Sequence, residues 1–312
     1  MGWIRHVLFA NCGEQGGGVG KIRFSSVNGN MMGLDGGAMF GNAPKALWQR
    51  WTRADDNNMI DIASRCLLVE TDSARILFET GVGAYLSPAM KQRFGVKGES
   101  HQLLDSLDDL GLDHGDITHV VLSHLHFDHA GGLLATWQEG REPELLFPNA
   151  EFITGRANWE RSCSPHIRDR ASFIPALNRL LEESNRLSLK ENGDLLELDG
   201  VRIRFMESNG HTPGMMLSHI SCDDGSLVFA GDIAPGHFWV NLPITMGYDR
   251  FPEELVNEKK RVFKEVYEGN AWIFYTHDPV YSVSKLAVDS KNGRFVPSSL
   301  VESFAGTSLG RI

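Results

Sequence analysis

The sequence predicts a layered α/β fold, with sheets packed face to face and helices outside, in one domain over residues 20–287. A flexible N-terminal arm (1–19) and a polar C-terminal tail (288–312) are expected to flank it. Three observations carry this reading. Short apolar or β-branched runs cluster toward the two ends of the chain, and runs with helical spacing fall between and after them. Neither an internal repeat nor a low-complexity linker divides the 312 residues. At 42% hydrophobic and 22% charged, a chain of this length can bury a substantial core.

The elements follow in order. RCLLVET and ARILFET, separated by Asp72 and Ser73, read as a hairpin. HQLLDSLDDLGL at 101–112 has apolar residues at helical spacing, and ITHVVLSH after it reads as a buried strand. AEFITG is a strand and IPALNRLLEESNRL, from 174, an amphipathic helix. DLLELDGVRIRFMES turns at Asp199 and Gly200 between two strands, and MMLSHISCDDGSLVFAGD turns at Asp223 to Gly225 between two more. FPEELVNEKKRVFKEVYEG, from 251, is a helix with Pro252 in its first turn, followed by the strand AWIFYTH.

Composition narrows the function. The formal net charge of −10 argues against a phosphate-tracking surface, so no nucleic-acid partner is expected. Cys12, Cys66, Cys163 and Cys222 show no CxxC spacing and read as free thiols in a reducing cytoplasm. The first twenty residues lack a secretory apolar core, and no run reaches the roughly 18 apolar residues of a membrane span, so no membrane partner is expected either. The glycine-rich GEQGGGVG lacks the Lys and Ser/Thr of a phosphate loop.

Chemistry concentrates in residues 121–132, VLSHLHFDHAGG, where His124, His126, Asp128 and His129 lie close together at a strand exit. A helix would rotate these side chains apart by about 100° per residue, so a tight loop is expected, with Gly131 and Gly132 letting the backbone fold back closely. His211 in SNGHTPG, Asp232 in VFAGD and His277 in WIFYTHD each follow another strand. Four strand-to-loop junctions carrying imidazole or carboxylate point to one convergent site. Taken singly, Asp232 also reads as a turn former. His6, His101, His114, His119, His166 and His219 lack partners in the sequence and read as structural.

The set HxHxDH at 124–129, GHTPG at 210–214, GD at 231–232 and the late His277 resembles the metallo-β-lactamase superfamily over nearly the whole core. The resemblance implies an αββα four-layer sandwich with a dinuclear metal site at the edge of its two sheets. It implies that His124, His126 and His211 hold one ion, that Asp128, His129 and His277 hold the second, and that Asp232 bridges them. Two divalent ions are expected. Zinc comes first, and imidazole and carboxylate donors suit Fe, Mn or Co nearly as well. The implied chemistry is hydrolysis by a hydroxide shared between the ions, with Asp128 and Asp232 as catalytic residues.

HLHFDHAGG is similar to the acyl-homoserine lactonases, and LDGGAMFGNAPKALWQRW with the later MGYDRFPEE is similar to a lactonase-like branch of the superfamily. The resemblance thus implies a small-molecule lactone or carboxylic ester with an apolar portion. Those lactonases carry a tyrosine three residues after the bridging aspartate, where this chain has Pro235; either His237 or Tyr248 substitutes for it, or the substrate differs. Phosphodiester or organophosphate hydrolysis, thioester hydrolysis of the glyoxalase II type, and a metal-binding or redox role on the same scaffold are the alternatives. A homodimer is left open. Finally, Met31, Met32, Met39, Phe40, Trp48 and Trp51 have no periodic face. They read either as a satellite core or as a lid in which Phe40 meets the substrate's apolar chain.

Overall fold

A computed structural model describes residues 22–312. The expected arm at 1–19, with His6 and Cys12, lies outside the described residues. Two sheets dominate. The first has six strands in the order 23–28, 65–70, 75–78, 119–121, 151–155 and 187–190, and the second seven in the order 295–301, 283–288, 272–274, 225–229, 215–222, 201–208 and 195–198. The hairpins at 65–78, 195–208 and 215–229 pair antiparallel as their turn residues require. The strands 75–78, 119–121, 151–155 and 187–190 run parallel, because helical segments connect them.

Strand alternation assigns each apolar side chain to a layer. Leu67, Val69, Ile76, Phe78 and Val121 of the first sheet meet Ile203, Phe205, Leu227, Phe229 and Phe274 of the second in a shared core. Phe78 and Phe229 touch there, with ring centroids 5.5 Å apart. The intervening Leu68, Leu77 and Val120 face outward onto Leu103 and Leu107 of the helix Gln102–Asp108 and Leu177 and Leu181 of the helix Pro175–Glu183. On the other side, Val228 and Ile273 face Leu255, Val262, Phe263 and Val266 of the helix Pro252–Glu268. The result is the expected αββα four-layer sandwich. No helix among the described residues is long and apolar enough to cross a membrane.

One expectation is corrected, and one open alternative is decided. The C-terminal tail is not a tail: Phe295–Val301 forms the edge strand of the second sheet. Beyond it, Phe304 and Thr307 accept hydrogen bonds at 2.8 Å from the backbone of Ser26 and Phe24 on the edge strand of the first. Pro297 and the serines make the segment look polar, and an edge position tolerates them. The apolar segment at 31–51 also resolves. Met32, Met39, Phe40 and Trp48 are buried, and Phe40 stacks between Trp48 and Trp239 at centroid distances of 5.5 and 4.6 Å. Phe40 is therefore a core residue and not a lid.

Candidate metal centre

Four strands of the two sheets end at the same rim, and each delivers part of the site. After the strand 119–121 the chain bends at Ser123 and is extended again at His126, and the rings of His124 and His126, two residues apart, come within 3.0 Å of each other. A single helical turn, Phe127–Ala130, then carries Asp128 and His129. This corrects the expected loop: one turn is too short to spread the ligand atoms around a circumference. Gly131 and Gly132 do serve close approach. A Cβ would lie 2.4 Å from the Val82 carbonyl oxygen at Gly131, and 2.0 Å from that of Thr80 at Gly132. His101, read as structural, is buried and bonds the Gly132 carbonyl at 3.1 Å.

The strand 201–208 leads to His211, 225–229 to Asp232 and 272–274 to His277, and all three are buried. The expected ligand atoms form two groups, and His124 also lies close to His129 and Glu79. In one, His124 Nε2 and His211 Nε2 lie 3.0 and 3.3 Å from His126 Nδ1. In the other, His277 Nε2 lies 3.0 Å from His129 Nε2 and 3.5 Å from an Asp128 oxygen. Asp232 stands between them. Its Oδ2 is 3.3 Å from His211 Nε2, and its Oδ1 is 3.3 Å from both His129 and His277.

Electrostatics separate the histidines. Burial, then the neighbouring imidazoles, hold His124 and His126 well below the ordinary histidine range, so both are neutral. Burial also opposes charge on His129, His211 and His277, but the carboxylates, Asp232 foremost, outweigh it and raise all three. Burial disfavours the Asp232 carboxylate, yet those three histidines draw its pKa well below the usual range. The donor set fits divalent cations. His126 Nδ1 faces two imidazole nitrogens and can share one proton with only one of them, whereas a cation between the three would satisfy every lone pair.

Surrounding groups fix the ring orientations. His211 Nδ1 is 2.9 Å from an Asp249 oxygen, His277 Nδ1 is 2.7 Å from the Ala63 carbonyl and His124 Nδ1 is 2.9 Å from the Ser123 hydroxyl. A Glu79 oxygen lies 3.5 Å from His129 Nδ1, and the other accepts from the Ser123 amide at 2.9 Å. Sequence reasoning missed Asp249, Glu79 and Ala63 in these positions. Only Glu79 left a signal, as an acid closing the apolar run RILF, and it sits at a positive φ of 65°.

A cleft of about 280 Å³ opens onto Asp128, Asp232, His126, His211 and His277. Leu34, Met39, Phe94, Phe127 and Met246 supply apolar wall, and Tyr248, Arg168 and Arg250 polar groups. Of the three expected substrate contacts, Tyr248 lies on this wall. Burial, then Asp128, raises its pKa, so the phenol keeps its proton. Phe40 is not on the wall, and neither is His237, whose Nδ1 and backbone N–H both bond Asp278.

Comparison with known proteins agrees with this geometry. The sequence profile described as "Metallo-beta-lactamase superfamily" matches residues 60–277. An N-acyl homoserine lactonase of Bacillus thuringiensis is 26% identical over 232 residues, covering 70% of this chain and 83% of its own. A probable metal-dependent hydrolase from Staphylococcus aureus has a solved structure that superposes with a TM-score of 0.78 at 29% identity, covering 91% of this chain and 98% of the other. The dizinc quorum-quenching lactonase AidC superposes with a TM-score of 0.72 at 23% identity, with coverage of 91% and 96%.

Proposed function

Because the chain belongs to the metallo-β-lactamase superfamily and is a metal-dependent hydrolase of that family, we propose that it opens a lactone or carboxylic ester, such as an acyl-homoserine lactone. In this reading the reaction takes place over two divalent ions, zinc foremost. His124, His126 and His211 would hold one ion and Asp128, His129 and His277 the other, with Asp232 between the two groups. The single observation that carries the reading is the Asp232 carboxylate, one oxygen turned to each histidine group at 3.3 Å. The relative of known activity supports the lactone in particular.

Divalent ions bound there supply Lewis acidity and a water acidified from 15.7 towards about 7. The protein's own groups do the rest. Asp128, the more exposed of the two carboxylates, orients the attacking water and takes its proton. Tyr248, protonated and on the same wall, donates to the carbonyl oxygen in place of the tyrosine that Pro235 displaces. As the water oxygen bonds to the carbonyl carbon and the ring C–O bond breaks, the leaving oxygen takes the proton that Asp128 accepted from the water, and a hydroxy acid results. Leu34, Met39 and Phe94 receive the acyl chain and exclude water from it.

Elemental analysis combined with a panel of lactones, thioesters and phosphodiesters tests the proposal. The expected result is close to two ions per chain and fastest turnover of lactones. Asp232→Ala should lose metal and activity together, while His237→Ala keeps both to within about tenfold. One ion at saturation, or a phosphodiester as the best substrate, overturns it.

A further inference from the structure

We propose that the cleft also reads an anionic group on its substrate, a carboxylate or phosphate set apart from the scissile carbonyl, with Arg168 and Arg250 as the receptor. The inference rests on the hydrolase reading for the reacting end of the substrate and adds a class to it. Its basis is an unbalanced cluster. Asp169, 5% exposed, takes two hydrogen bonds on one oxygen from Arg161, at 2.7 and 3.0 Å. Arg250 approaches that same oxygen only to 3.9 Å, and Arg168 bonds the Gly247 carbonyl at 3.2 Å. Arg161 and Arg250 therefore turn to the same Asp169 oxygen, which Arg161 already engages, while Arg168 turns to a backbone carbonyl and not to a carboxylate.

The imbalance sits at the reaction site. Arg168 and Arg250 line the same cleft as Asp128, Asp232 and Tyr248, and the Arg250 amide donates to the His211 carbonyl at 3.1 Å. Guanidinium stays charged at any ordinary pH, so the repulsion cannot be relieved by losing a proton. A planar fork of N–H donors matches carboxylate or phosphate oxygens in pairs. Arg161 serves to brace the segment through Asp169; Arg168 and Arg250 are the two that face the cleft.

The test uses the metal-loaded enzyme and three matched esters: p-nitrophenyl hexanoate, mono-p-nitrophenyl adipate and the hexanoate carrying a terminal phosphate. The anionic esters are expected to exceed the neutral one in kcat/KM by about tenfold, and Arg168→Gln or Arg250→Gln to remove about that factor for the anionic esters alone. Whichever anionic ester is faster identifies the group. Calorimetry with adipate against hexanoate repeats the comparison without turnover: adipate should bind more tightly, and the difference should vanish in both variants. Equal rates for neutral and anionic esters with equal binding of the two acids overturn the inference. Failure to hydrolyse any ester or lactone would overturn the lactone and ester reading instead, while the calorimetry would still decide on the arginines.

Discussion

Replacing Asp249 by Asn changes one atom and should disable His211. Asp249 is buried; one oxygen faces His211 Nδ1 at 2.9 Å and the other accepts from the Met246 amide at 2.6 Å. Two acceptors thus meet two donors, and the proton on Nδ1 leaves Nε2 bare toward the site. An asparagine has one acceptor and one donor. If its oxygen keeps the Met246 amide, its NH₂ faces Nδ1, forces the imidazole proton onto Nε2 and points that proton where the ion belongs. If the amide flips, NH₂ meets the Met246 N–H and a backbone donor is stranded. Losing a charge-assisted hydrogen bond costs about 1.5–3 kcal/mol, or about ten- to a hundredfold in metal affinity. Competition with a chromogenic chelator measures this, with thermal unfolding of both proteins as the control for folding. Ser123→Ala removes only a neutral partner of His124 and should cost less. Unchanged affinity in the asparagine variant, or a larger loss in Ser123→Ala, would refute the tautomer argument.

Phe40→Ala should destabilise the fold by about 3–5 kcal/mol, since it empties a stacked core position, and leave the chain-length preference intact. Leu34→Ala, on the cleft wall, should reduce kcat/KM for long acyl chains more than for short ones, at up to about 0.8 kcal/mol per methylene no longer covered. Denaturant titrations with a homologous ester series read both, and a changed preference in Phe40→Ala would restore the lid. Lys259 is buried among the Asn241 and Ile244 carbonyls, and burial pushes its pKa down to about 7 from 10.5. Above that value the unfolded chain holds the proton more tightly than the folded one. Stability should therefore rise between about pH 7 and 10 by up to about 1.4 kcal/mol per unit, relative to Lys259→Met. Urea unfolding of both proteins across that range checks it, and parallel pH profiles would show that the amine does not titrate there.

How much was legible follows from the range of each interaction. The hairpins at 65–78 and 215–229 announce themselves because alternation and turn residues are local. HxHxDH, GHTPG, GD and the late histidine were readable because each follows the end of a strand, and the four strands, from both sheets, end at one rim. The edge strands Arg23–Asn28 and Phe295–Val301 were not legible. FVPSSLV buries no side chain fully, and RFSSVN buries Ser25 beside Phe24 and Val27, so neither shows a clean apolar alternation.

The groups that orient the site mark the same boundary more sharply. Ala63 and His277 are 214 positions apart, and their contact exists only because residues 63–65 pair with 276–277. Asp249 lies in MGYDRFPEE, a segment noticed for its similarity to lactonases, and nothing local says that its carboxylate reaches His211. The 31–51 segment shows why. Asp35 caps the short helix Gly36–Phe40, the Ala38 carbonyl accepts from Gly247 at 2.8 Å, and Trp239 donates to the Met39 carbonyl at 3.1 Å. That segment thereby fixes the loop that presents Tyr248 and Asp249, while Leu34 and Met39 reach the cleft and Phe40 does not. Apolar residues without a period cannot be divided between core and cleft from sequence, because the division is made by the surface they dock on. The residues proposed to perform chemistry were therefore visible as residue types, and those proposed to choose substrate and set geometry became visible only as contacts.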